Sequence, residues 1–114
     1  MKKILKFFLL IIFIINICLS ENLIVAFYNV ENLFDIYDSE DTNDSEFTPN
    51  GRKNYTQIVY NERLKNISSV ISKIGNNYSI DGPNIIGLSE IENRTVLEDL
   101  ITRPNFFNKN YSVV

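Results

Sequence analysis

The sequence predicts an α/β protein, on three observations: two short apolar runs that suit strands, a helical apolar stripe between them, and polar residues closing each strand. The first run, Leu23-Ile24-Val25-Ala26-Phe27-Tyr28, is nearly continuous and rich in β-branched and aromatic side chains. Such a run suits a strand covered on both faces. The second, Asn84-Ile85-Ile86-Gly87-Leu88-Ser89, follows the turn Asp81-Gly82-Pro83 and ends at Glu90. Between them, from Gln57, the residues Leu64, Ile67, Val70, Ile71 and Ile74 fall on one helical stripe, and Gly75 stands where a C-terminal cap belongs. Arg63 and Lys65 lie off that stripe and read as solvated.

The stretch from Glu31 to Gly51 carries seven acids, then Pro49 and Gly51, with no sustained period, and predicts a long acidic surface loop. Within it Asp41-Thr42-Asn43-Asp44-Ser45-Glu46 suggests a calcium loop, but the glycine turn and the distant bidentate Glu of an EF-hand are missing. Thr95-Val96-Leu97-Glu98 has capping-box spacing, which predicts a short helix with Thr95 as its N-cap. Pro104 ends that helix. Tyr111-Ser112-Val113-Val114 reads as the start of a further strand, and a strand closing the chain suggests an α/β protein cut off early.

The first 20 residues stand apart. Lys2, Lys3 and Lys6 precede the unbroken apolar run Phe7 to Ile15, and Cys18-Leu19-Ser20 supplies small residues for a cut before Glu21. That is the layout of a secretory signal peptide, and the run is short for a membrane span. An uncleaved anchor and lipidation at Cys18 are the alternatives; Ile15-Asn16-Ile17 lacks the small residue that lipoprotein processing favours before the cysteine. Cleavage places the rest outside the cytoplasm, periplasmic or secreted, and removes the only cysteine, so no disulfide framework is expected. It also removes three of 11 basic residues and none of 14 acids, leaving a charge near −6. Long-range attraction to nucleic acid is then excluded, and binding there would need a local basic patch or a metal.

Chemistry concentrates at two strand ends: Asn29-Val30-Glu31 after the first run, and Glu90 with Glu92 and Asn93 after the second. Ligand sites gather at such ends because loops vary there over a rigid base. A carboxylate so placed suits Mg²⁺ or Mn²⁺, which take oxygen ligands and keep several waters. An acid closing a strand is also an ordinary way to return the chain to solvent.

Phe27-Tyr28-Asn29-Val30-Glu31-Asn32-Leu33-Phe34-Asp35, followed by Pro83-Asn84-Ile85-Ile86-Gly87-Leu88-Ser89-Glu90-Ile91-Glu92-Asn93-Arg94, resembles the endonuclease/exonuclease/phosphatase family. It is most similar to an often exported bacterial branch of endonucleases with the same "NVENLFD" and "GLxExEN" text. Glu46-Phe47-Thr48-Pro49 and Arg63-Leu64-Lys65-Asn66-Ile67 lie between the motifs, where that branch reads similarly, and the resemblance covers nearly all of residues 23–100. It implies a four-layer α/β sandwich (DNase I-like), of which residues 21–114 form the N-terminal portion. It also implies Mg²⁺- or Mn²⁺-dependent hydrolysis of a phosphodiester, nucleic acid among the candidate substrates. Glu90 matches the family's metal-ligand glutamate, and Asn29 matches the asparagine that hydrogen-bonds the metal site or the scissile phosphate. Glu31 falls, more loosely, where some members have a second acid near the metal. Asn84 departs from the family's usual Asp after Pro. The family's catalytic base uses an aspartate and a histidine from later strands, and this chain has no histidine. The segment by itself is therefore expected to be inactive. A non-catalytic exported module keeping the first strands, and a phosphatase or phospholipase of the same family, stay open.

Overall fold

The computed structural model describes Lys6, residues 22–80 and residues 82–114. The signal peptide expected over residues 1–20 therefore lies, Lys6 apart, outside the described residues. Strand β1 (Val25–Leu33) leads through turns to helix α1 (Gln57–Ile71), then strand β2 (Ile85–Ile91) and helix α2 (Arg94–Ile101). One-turn 3₁₀ helices sit at Ser45–Phe47 and Pro104–Phe106. The fold is thus a small mixed α/β unit, with two strands paired in parallel. Among the described residues no helix is long and apolar enough to cross a membrane.

Alternation along the strands decides where the core lies. Ala26 pairs with Ile86 and Tyr28 with Leu88, and Tyr28, Ile86 and Leu88 pack toward the helices. Against them α1 turns Tyr60, Leu64, Ile67 and Ile71, spaced by four, three and four residues, and α2 adds Val96 and Leu100. Leu64 and Val96 have no exposed surface; burying side chains of this size stabilises by about 1.5–3 kcal/mol each. The other face is bare. Val25, Phe27 and Ile85 are exposed, Phe27 at 86%, so the strand expected to be covered on both faces is covered on one. Phe27 instead lays its ring over Gly87, where a Cβ would sit 2.4 Å from Cε1.

Other sequence expectations shift locally. Val70 leaves the buried stripe at 44% exposure, and regular helix stops at Ile71. Tight turns then carry the chain to Gly75, whose φ of +77° is the left-handed geometry expected of it. The cap of α2 is Asn93 rather than Thr95: Asn93 Oδ1 accepts from Val96 N–H at 3.0 Å. Asn outranks Thr at this position, and here it also has a second attachment described below. Tyr111 to Val114 run without strand pairing, held by Tyr111 Oη donating to Pro83 O and by Arg94 donating to Val113 O at 2.9 Å. The acidic loop is not uniformly solvated, since Asp44 is 1% exposed and accepts from Ser39 N–H. Replacing Asn93 by Ala should cost about 1 kcal/mol or more in urea unfolding, whereas Thr95→Ala should stay within about 0.5 kcal/mol of wild type. A larger loss at Thr95 would contradict the cap assignment.

Candidate functional site

Because β1 and β2 are parallel, their C-terminal ends lie at the same end of the sheet. Asn29 is in register with Ser89, and Leu33 with Ile91. Val30, Glu31 and Asn32 must therefore pass opposite the single residue Glu90. Left-handed backbone absorbs the surplus: φ is 56° at Glu31, 59° at Asn32 and 62° at Glu90. Asn tolerates this region; at Glu it costs of order 1–3 kcal/mol, a strain that persists only where surroundings enforce it.

The distortion assembles the site. Asn29 Nδ2 donates to Glu90 Oε1 at 2.7 Å, and Asn32 N–H donates to Glu90 Oε2 at 3.1 Å. Glu31 N–H donates to Asn29 Oδ1 at 2.7 Å, so the Asn29 amide is held from both sides. Asn29 and Glu90 are both exposed at the strand ends. The structure thus brings Asn29 and Glu90 together. Glu31 joins through its backbone, and no described contact carries its exposed carboxylate to Glu90.

Arg63, expected to be solvated, lies under the bulge. Its Nη2 donates to Val30 O at 2.9 Å and Glu31 O at 2.8 Å, and its Nη1 to Asn32 O at 3.1 Å. A signal existed: Arg63 follows Tyr60 by three and precedes Ile67 by four, which sets it on the margin of the buried stripe. The buried hydroxyl of Tyr55 makes no well-formed hydrogen bond. Burial raises its pKa, and the neighbouring Arg63 guanidinium opposes the rise.

A second set of contacts secures the loop beyond the site. Asp35 N–H and Ser39 Oγ donate to the two oxygens of Glu92, at 2.8 and 3.0 Å. Asn93 Nδ2 donates to Asp35 Oδ2 at 3.0 Å, so one side chain caps α2 and ties it to the loop after β1. Burial pushes the Glu92 carboxyl above its ordinary 4.5; the bonds from Asp35 N–H and Ser39 oppose the rise, while the Asp35 and Asp44 carboxyls add to it.

The donors fit part of a cation shell. Each Glu90 oxygen accepts one hydrogen bond and keeps lone-pair capacity toward solvent, as a hard divalent ion requires. Among the described residues no group of three or more His, Cys, Asp or Glu is arranged to hold a metal. One carboxylate with a fixed amide beside it is what the described residues offer.

A small α/β unit with an amide and a carboxylate paired across two parallel strand ends is the class of site defined here. The Endonuclease/Exonuclease/phosphatase family model matches residues 24–114, and the chain belongs to that family. Comparison with curated proteins and with solved structures gave no match.

The raised Glu92 pKa has a measurable sign. Between 4.5 and the raised value the folded chain binds more protons than the unfolded one, so stability linked to Glu92 falls as pH rises through that window. The difference in melting temperature between wild type and Glu92→Gln should therefore change across that window and level off on either side. A pH-independent difference would contradict the assignment.

Proposed function

We propose that this chain supplies the cation-bearing strand ends of an exported, Mg²⁺- or Mn²⁺-dependent phosphodiesterase, with an endonuclease as the leading activity. The observation that carries the reading is the 2.7 Å bond from Asn29 to Glu90 in a chain of this family. On this reading residues 1–20 are a signal peptide, and residues 21–114 are the N-terminal portion of a four-layer α/β sandwich. The uncovered face bearing Val25, Phe27 and Ile85 supports that larger architecture, because apolar strand residues gain stability only when covered.

Glu90 would hold the cation, with Glu31 the looser candidate for a second carboxylate. When bound, the cation supplies Lewis-acid polarisation of a phosphoryl oxygen and stabilises the leaving oxygen. Asn29 spends one amide hydrogen on Glu90 and retains a second, neutral donor able to orient an anionic phosphate. Glu92, Asp35 and Asn93 keep the adjoining loop and helix in place. The aspartate and histidine that the family resemblance implies as the water-activating pair belong to later strands, and this chain has no histidine.

That same lack of histidine favours a second reading, a non-catalytic exported module retaining the first strands. A coding frame continuing past Val114 into Asp-x-Asn and a terminal Asp-His pair supports the enzyme; its absence supports the module. In such a longer protein, Glu90→Gln should lower Mg²⁺-dependent phosphodiester hydrolysis by at least about 100-fold while circular dichroism stays unchanged. Undiminished hydrolysis would end the assignment. Export is tested separately: N-terminal sequencing of the extracytoplasmic product should begin near Glu21, and a product beginning at Met1 would favour an anchor.

A further inference from the structure

The contacts around the bulge form two continuous paths from Arg63 to Glu90. Along the first, Arg63 Nη2 donates to Val30 O at 2.9 Å. That carbonyl shares its peptide unit with Glu31 N–H, which donates to Asn29 Oδ1 at 2.7 Å. The same Asn29 amide then donates through Nδ2 to Glu90 Oε1 at 2.7 Å. Along the second, Arg63 Nη2 donates to Glu31 O at 2.8 Å, and that peptide unit presents Asn32 N–H to Glu90 Oε2 at 3.1 Å. One guanidinium therefore reaches both oxygens of one carboxylate through planar amides.

Two physical effects follow. Planar amides donate on one side what they accept on the other, so a cation bound to the carbonyl oxygen polarises the N–H toward the carboxylate. The geometry is also enforced: three convergent N–H groups fix the directions of three successive carbonyls, including those of the two left-handed residues of β1, Glu31 and Asn32. Arg63 is absent from the ion pairs among the described residues, which are Arg52–Glu46, Lys53–Glu46 and Arg94–Glu98. Its charge is thus directed at backbone oxygen rather than cancelled by an acid.

We propose that Arg63 is the positioning residue of this site, fixing and polarising the donors that hold both oxygens of Glu90. Lysine is no substitute, because a compact ammonium lacks the planar fork that spans neighbouring acceptors. Holding a cation's carboxylate ligand by its own hydrogen bonds is worth roughly 10–100-fold in metal affinity. This last consequence rests on the reading of Glu90 as that ligand; the relay itself does not.

Amide ¹H–¹⁵N spectra of the isotope-labelled chain separate the two. Glu90→Gln gives the positions of the Asn29 side-chain and Asn32 backbone signals once the carboxylate is gone. Arg63→Lys should move both signals toward those positions while the signals of α1 and α2 stay in place, and Arg63→Ala should move them further. Both signals unmoved in Arg63→Lys would overturn the relay, even if Arg63→Ala fails to fold. Titration with Mg²⁺, followed on the same signals, should show apparent affinity at least about tenfold weaker in Arg63→Lys than in wild type. Equal affinity would overturn the positioning role. If wild type and Glu90→Gln respond alike to Mg²⁺, the cation reading fails, and the metal-free signals alone decide for or against Arg63.

Discussion

The site depends on a mismatch in strand length. Between two fixed points of the parallel ladder, β1 has three residues and β2 has one. An unconstrained strand would relieve such a surplus by slipping register, but slipping by one residue would turn Tyr28 out of the core and Phe27 into it. Packing against α1 forbids the slip, so the excess is stored locally in left-handed backbone at Glu31, Asn32 and Glu90. The apolar core thereby secures the polar geometry beside it. Strain near a strand end becomes tolerable because the buried residues on either side, Val30 and Leu33, anchor the segment.

Two neighbouring glutamates, Glu90 within β2 and Glu92 just past its end, show how environment divides similar groups. Glu90 is exposed, with an amide and a backbone N–H on its two oxygens and capacity left over. Glu92 is half-buried, and its hydrogen bonds bind the loop to the sheet. The first keeps oxygen capacity open to solvent, and the second holds the chain that surrounds it. Asn93 extends that division by serving as helix cap and loop tether at once.

Much of this was legible in the sequence. The two apolar runs announce both strands because short, β-branched segments bounded by turn residues suit a sheet, and the polar residues after them locate Asn29 and Glu90. The stripe through Leu64, Ile67 and Ile71 announces α1, since burial repeats with the helical period. Arg63 was hidden because periodicity ranks residues by apolarity, and a guanidinium on the stripe's margin looks solvated until its carbonyl partners are known. The bulge was hidden because it arises from register between strands whose paired residues, such as Asn29 and Ser89, lie 60 apart in sequence, a relation no local pattern carries. Box spacing singled out Thr95, whereas the capping bond is made by Asn93, whose amide also reaches Asp35 through a tertiary contact that local spacing does not carry. Exposure of Phe27 followed from which layers are present, and strand composition is blind to that.

The bare strip formed by Val25, Phe27 and Ile85 would couple folding to any association that covers it, by mass action. Water meets apolar surface there at a free-energy cost, and any apolar body that covers it binds the folded chain in preference to the unfolded one. The melting temperature of this segment is then a property of its surroundings as much as of its own contacts. It would rise with the concentration of any body that covered the sheet, with no contact inside the helix-packed core changed.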